Sequence, residues 1–346
     1  MRGSVALATR TLTPALSQRE REKKPNHASG VLSTSDGGET MNRFAYREAQ
    51  TVQEAVEMMR QEEGARIVAG ATDVFIRWRQ GVWKPRYVLN IKRIPGLDEV
   101  SYRPDTGLSL GTLVTVRTLE RHPLIQEHYP ALAQAATAFA GVQIRNLATV
   151  GGNVCNASPA GDTLPALLAY GAECRIVGAA GERLLPLEQF FLGPGHTALQ
   201  PAELLVALRL PPPLPRTGAL YVKHSPRSTM DIATVGVASV VSLAAQHDVC
   251  QEVKITLGAV APTVVRAAAA EAVLRGQPVD AERIRQAAHA AVQAARPLDD
   301  IRGSAAHRRT VVIPLVQRTL QYAVQMAQGT RFPFQMQRGL AVEAVF

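Results

Sequence analysis

The sequence predicts an α+β fold in two domains, and three observations predict it. A capped amphipathic helix runs into a short buried strand over residues 51–69. The cluster Pro211-Pro212-Pro213-Leu214-Pro215 interrupts the chain with residues that stiffen the backbone and cannot donate ladder hydrogen bonds. Beyond it, two β-branched runs at residues 235–245 and 253–260 read as an antiparallel hairpin, followed by alanine-rich helical patterns.

Residues 1–40 stand apart. Arg19-Glu20-Arg21-Glu22-Lys23-Lys24 and a Ser/Thr/Gly stretch carry no apolar period, and the apolar patch at residues 5–8 is too short for a secretory segment. We expect a disordered leader or a start at Met41. From Thr51 the signal sharpens: Thr51 and Glu54 form a capping box, and Val52, Ala55, Val56 and Met59 share one helical face until Gly64. Residues 66–69 read as a strand entering the small-residue turn Gly70-Ala71-Thr72-Asp73, a plausible phosphate site that lacks the GxGxxG spacing of a Rossmann domain. Strands are expected at 88–91 and 108–110, and a helix at 129–139 with Pro130 in its first turn. A short helix at 164–170 is closed by Gly171, and strands follow at 174–177 and 204–210. After the proline cluster and the hairpin, helices are expected at 263–274, 280–295 and 304–328, with Pro314 kinking or dividing the last. Residues 330–346 read as a tail. The expected units are thus 41–214, with lobes at 41–95 and 96–214, and 215–329.

With 346 residues, 46% hydrophobic and 19% charged, the chain is long enough to bury a large core and is not of disordered composition. No run of eighteen apolar residues appears, which argues against a transmembrane helix. The net charge of +9 is scattered and aromatics are only 5%, so nucleic acid is not an expected partner. Cys155, Cys174 and Cys250 form no CxxC pair, which argues against a zinc or iron–sulfur site in this chain and fits a reducing cytoplasm. His122, His128, His196, His224, His247, His289 and His307 form no catalytic spacing, so each reads as structural or surface and none of them is expected to act as a general base, nucleophile or metal ligand.

Residues 147–162 hold the strongest binding signal. Gly151 and Gly152 remove Cβ atoms and tolerate left-handed dihedrals, so consecutive N–H groups could converge on an anion. Thr149, Asn153, Asn156 and Ser158 add donors, and Asp162 adds a carboxylate. An ordinary Gly/Ser/Pro/Asn loop is the competing reading.

Several stretches together resemble the FAD-binding medium subunit of molybdenum hydroxylases, the family of xanthine dehydrogenase, carbon monoxide dehydrogenase and 4-hydroxybenzoyl-CoA reductase. They are Phe139-Ala140-Gly141-Val142-Gln143-Ile144-Arg145-Asn146, residues 148–162, Met230-Asp231-Ile232-Ala233, residues 257–263 and residues 302–309. The resemblance runs from Met41 to Gln328. It implies a two-lobed, vanillyl-alcohol-oxidase-like (PCMH-type) FAD-binding domain followed by an α+β C-terminal domain. The diphosphate of FAD would sit on two loops that map onto Ile67, Val68, Ala69, Gly70, Ala71, Thr72, Asp73 and Val74, and onto Thr149, Val150, Gly151, Gly152 and Asn153. Phe139 matches an aromatic near the flavin, Asp162 a carboxylate contacting FAD, Leu205 an apolar wall and Lys223 a lysine near the isoalloxazine. Without the family these four would read as core, helix N-cap, strand core and solvated charge. Asn156 and Ser158 would line the second loop. Relatives usually place Gly or Asn where this chain has Ala71, and alanine bears a cost at positive φ.

By that resemblance the chain is an electron-transfer subunit holding FAD. A large subunit would carry the molybdenum cofactor and a small one the [2Fe-2S] clusters, in a dimer of heterotrimers that passes electrons to an external acceptor. The iron–sulfur cluster inserted in the reductase relative is not expected from three dispersed cysteines. A self-contained flavin oxidase or dehydrogenase and a flavin-free nucleotide-binding scaffold are the alternatives.

Overall fold

The computed structural model describes residues 44–332, apart from residues 63, 228–229 and 246–247. The expected leader and most of the expected tail, with His247, lie outside the described residues.

The first sheet is parallel. Its strands β1 (Ala45–Glu48), β2 (Ala65–Val68) and β3 (Tyr87–Asn90) are ordered β1-β3-β2, and every residue of the central β3 is buried. A strand covered on both faces needs an unbroken apolar run, which Tyr87-Val88-Leu89 supplies. The helix Val52–Gln61 crosses from β1 to β2. Thr51 caps it by accepting from the Glu54 N–H at 3.0 Å, and Glu54 reaches back to the Gln50 N–H at 2.7 Å, one residue earlier than a capping box requires.

The second sheet is antiparallel. It joins β4 (Val100–Arg103), β5 (Gly107–Gly111), β6 (Glu173–Gly178), β7 (Gly181–Pro186) and β10 (Leu204–Leu210) in the order β4-β5-β10-β6-β7. A small hairpin, β8 (Phe191–Gly193) with β9 (His196–Thr197), lies apart. Six short helices fill the chain between β5 and β6. Pro130–Ala138 is buried on nearly every side because alanine lets neighbouring backbones approach, and Pro130 stands in its first turn as expected.

The third sheet, β11-β12-β13-β14, comprises Thr217–His224, Val235–Leu243, Cys250–Gly258 and Val265–Arg266, all antiparallel. The expected hairpin is β12–β13. Strand β11 was not foreseen, and the pattern expected as one helix at 263–274 divides into β14 and the helix Ala268–Leu274. The last helix, Ala305–Ala327, runs unbroken through Pro314. Val312, Leu315, Val316 and Leu320 are fully buried on both sides of the proline, and that packing outweighs the roughly 3 kcal/mol an internal proline costs. Gly218 of β11 admits this helix closely: a Cβ there would stand 2.6 Å from Met326 Cβ.

Among the described residues, two of the three hydrophobic cores cross a boundary. Leu204 and Val206 of the second sheet, with Leu113 just past β5, complete the core under the first, while Ala219, Tyr221 and Ala238 of the third sheet enter the core of the second. The lobes therefore meet along a seam, and the cleft described next opens on it.

Candidate functional site

The turn after β2 sits at the carboxyl end of a parallel strand, where open α/β sheets leave room for ligands. It faces the helix Val150–Asn156 of the second lobe across a cleft. Of the residues expected at a site, Ile67, Ala69, Gly70, Ala71, Thr72, Asp73 and Val74 line one wall. Phe139, Thr149, Gly151, Gly152, Asn153, Asn156 and Leu205 line the other. Val68 and Val150 are core, 5% and 0% exposed, and Ser158, Asp162 and Lys223 lie off the lining. Trp83, Ile91, Thr112, Leu199 and Leu204 also line the cleft without having been foreseen, as do Ala148 and Cys155, which fall within the stretch 147–162 but were not named individually for the site. Leu204 had a signal in adjoining Leu205; Trp83 and Thr112 had none.

The two loops are chemically unlike. Among the described residues, nothing accepts a hydrogen bond from the amides of Gly70, Ala71, Thr72, Asp73 and Val74. Five successive free N–H groups at a cleft wall form an anion-receptive surface. Ala71 has φ +62°, so the turn keeps its left-handed residue although alanine occupies it.

On the facing side the amides are engaged. Val150 N–H donates to the Val114 carbonyl at 2.9 Å, Gly151 N–H to the Thr112 carbonyl at 3.0 Å, and Gly152 N–H to Thr149 Oγ1 at 3.1 Å. The left-handed dihedrals that Gly151 and Gly152 tolerate are not adopted, because both glycines sit in the first turn of a right-handed helix. A Cβ on Gly151 would meet the Thr112 carbonyl oxygen at 2.7 Å, so close packing explains that glycine. A Cβ on Gly152 would meet only Thr149 Oγ1, at 2.9 Å. This wall offers side chains instead: Thr149, Thr112, Asn153, whose Oδ1 accepts from Thr163 at 2.6 Å, and Asn156, whose Oδ1 accepts from Arg77 at 2.8 Å. Cys155 is pushed up to about 12 by burial and is no thiolate.

Asp162 does not cap the helix Thr163–Ala169; its backbone is helical and its side chain makes no capping bond. Its carboxylate instead accepts from Lys223 Nζ at 2.9 Å and Tyr221 Oη at 3.0 Å. Both members of the ion pair are buried. Burial raises Asp162 above the usual carboxylate range, and Lys223 and Tyr221 pull it part of the way back. Lys223 also donates to the Ala138 carbonyl at 3.0 Å, one residue from Phe139 in the cleft wall. The pair thus braces the cleft from behind, and Lys223 is not a solvated charge.

Residues 42–213 match the family model for the FAD binding domain in molybdopterin dehydrogenase, and residues 220–323 match that for the CO dehydrogenase flavoprotein C-terminal domain. The chain is 31% identical over 286 residues to the putative xanthine dehydrogenase FAD-binding subunit of Escherichia coli (strain K12), covering 82% of this chain and 97% of that one. It is 31% identical over 282 residues to the carbon monoxide dehydrogenase medium chain of Hydrogenophaga pseudoflava, covering 81% and 97%. A solved carbon monoxide dehydrogenase of Hydrogenophaga pseudoflava superposes with a TM-score of 0.78 at 32% identity, over 82% of this chain and 98% of that one. Quinoline 2-oxidoreductase of Pseudomonas putida 86 superposes with a TM-score of 0.78 at 26% identity, over 84% and 99%. The chain therefore belongs to the FAD-binding medium-subunit family of the molybdenum hydroxylases, as an oxidoreductase component.

Proposed function

We propose that the cleft holds FAD and that this chain relays electrons within a molybdenum hydroxylase. The observation that carries the reading is the run of five free amides at residues 70–74, opposite the side chains of Thr149 and Asn153. Neutral donors of this kind suit a diphosphate because they stabilise its charge without adding a titratable group beside the cofactor. Phe139 and Leu205 provide an apolar wall for the ring system, and Asp73 provides a carboxylate suited to ribose hydroxyls. Asp162 holds Lys223 in one place behind Phe139. When bound, FAD supplies the electron storage, while the protein supplies binding, orientation and electrostatics.

In this reading a small iron–sulfur subunit delivers electrons, and a large molybdenum subunit oxidises the substrate. An external acceptor removes them, and the assembly is a cytoplasmic dimer of heterotrimers. The test is to co-express the chain with its flanking genes, purify the assembly, and measure flavin, molybdenum and iron. Substrate should bleach the flavin absorbance only when the iron–sulfur subunit is present. Bleaching of the isolated chain by substrate would overturn the relay.

A further inference from the structure

Of the seven described guanidinium groups of the first lobe, three have a carboxylate: Arg47 pairs with Glu62, Arg60 with Glu57, and Arg93 with Glu48. Arg66 and Arg77 belong to the other four. Neither forms an ion pair with any described residue, and both stand against one indole: Arg66 Cζ is 5.1 Å from the centroid of Trp83 and Arg77 Cζ is 4.9 Å from it. Asp73 lies one helical turn before Arg77, the spacing at which an ion pair could form. Arg77 instead donates to Asn156 Oδ1, a neutral acceptor on the opposite wall.

Those contacts fix where Arg77 is. Trp83 and Asn156 both line the cleft, and Arg77 is in the helix Val74–Arg79 that follows the free amides directly. A guanidinium that crosses from one lobe to the other, stacked on an indole and without a counter-charge, is pre-organised for an anion. A nearby backbone already offers five donors to the same kind of group.

We propose that Arg77 is a clamp for the diphosphate of the cofactor, held by Trp83 and Asn156 and closing the two lobes across it. The proposal rests on the reading of the cleft as the FAD site. Arg77 was not among the residues expected from the sequence.

The test uses the full chain stripped of flavin and titrated with FAD and with riboflavin, which lacks the phosphates, at several salt concentrations. Arg77→Gln is expected to weaken FAD about ten- to a hundredfold, the range of a lost charge-assisted hydrogen bond, and to leave riboflavin binding unchanged. The dependence of FAD affinity on salt should become shallower. Arg77→Met keeps the aliphatic stem against Trp83, should show the same losses, and decides the matter if the glutamine variant does not fold. Unchanged FAD affinity in the folded variant overturns the clamp, as does an equal loss of FAD and riboflavin, which would mark a purely structural latch. Intact FAD affinity with loss of partner subunits on purification would make Arg77 a docking residue and also overturn it. Failure of the unaltered chain to bind FAD would instead overturn the assignment of the cleft.

Discussion

Gly70 lies directly on the backbone at Leu147: a Cβ built there would stand 2.8 Å from the Leu147 carbonyl carbon and 2.9 Å from Ala148 Cα. This is where the two lobes touch, main chain to main chain, beside the cleft. Gly70→Ala must therefore part the lobes or bend a peptide, neither of which a side-chain rotation relieves. We expect a loss of at least about 1–3 kcal/mol in urea unfolding, with a lower flavin-to-protein ratio. Gly81 is the control, since its Cβ would meet nothing and only its φ of +69° is strained. Gly81→Ala should cost about 1 kcal/mol and leave the flavin ratio alone. Equal behaviour of the two variants would refute the contact.

The neighbouring glycines separate packing from binding. Gly151→Ala drives a methyl group onto the Thr112 main chain and should destabilise the flavin-free chain by about 1–3 kcal/mol. Gly152→Ala meets only a hydroxyl, so the flavin-free chain should unfold within about 0.5 kcal/mol of the parent. Its methyl group nevertheless lies on the cleft wall, and flavin retention should fall. Full flavin occupancy in Gly152→Ala would remove that residue from the binding surface.

Ala71 allows a gain of stability. At φ +62° an alanine bears about 1–2 kcal/mol of left-handed strain, and glycine bears none but adds freedom to the unfolded chain. Ala71→Gly should stabilise by about 0.5–1 kcal/mol in denaturant titration, without loss of flavin. A destabilised variant would mean that the methyl group packs usefully in the cleft.

The places where sequence reasoning succeeded and failed divide by range. Strand β10 was legible as a long, leucine-rich apolar run and the hairpin β12–β13 by its β-branched residues, and Thr51 and Glu54 announced a helix start locally. The helix Val150–Asn156 was hidden because Gly151, Gly152 and Asn153 are poor helix formers. Its first amides are held by Val114 and Thr112, more than thirty residues away in the chain. Strand β11 was hidden by Gly218 and Lys223, whose value lies in what packs on them: the last helix on one, Asp162 on the other. The small-residue turn at residues 70–73 that lines the cleft could be read from those residues alone. Trp83 could not, since a tryptophan in a loop carries no local sign of facing a cleft, nor could Arg77, an arginine on a short helix whose partners Trp83 and Asn156 line it.

Asp162 and Lys223 are a buried pair, and removing one partner strands the other's charge. Asp162→Asn and Lys223→Met should each cost about 3–5 kcal/mol, while the double variant should recover much of the loss. A double-mutant cycle by chemical denaturation measures this. Additivity within about 0.5 kcal/mol would show that the two charges do not sense each other.

His224 gives the folded chain a pH dependence of defined sign. Burial, and then the neighbouring His307, holds its imidazole below the ordinary histidine value, and its buried Nδ1 has no hydrogen-bond partner among the described residues. Because the folded value lies below the unfolded one, the stability it contributes is present above about pH 6.5. That contribution is lost as pH falls through the folded value, with a slope of at most about 1.4 kcal/mol per pH unit for one proton. Asp162 runs in the opposite sense: its folded value is raised, so its contribution grows on acidification. The two are separated by measuring unfolding free energy from pH 8 to 5 for the parent and for His224→Asn. The difference curve should be flat at the alkaline end and fall toward acid, since asparagine leaves Asp162 and the exposed carboxylates in place. A flat difference curve throughout would show that His224 titrates alike in the folded and unfolded chain.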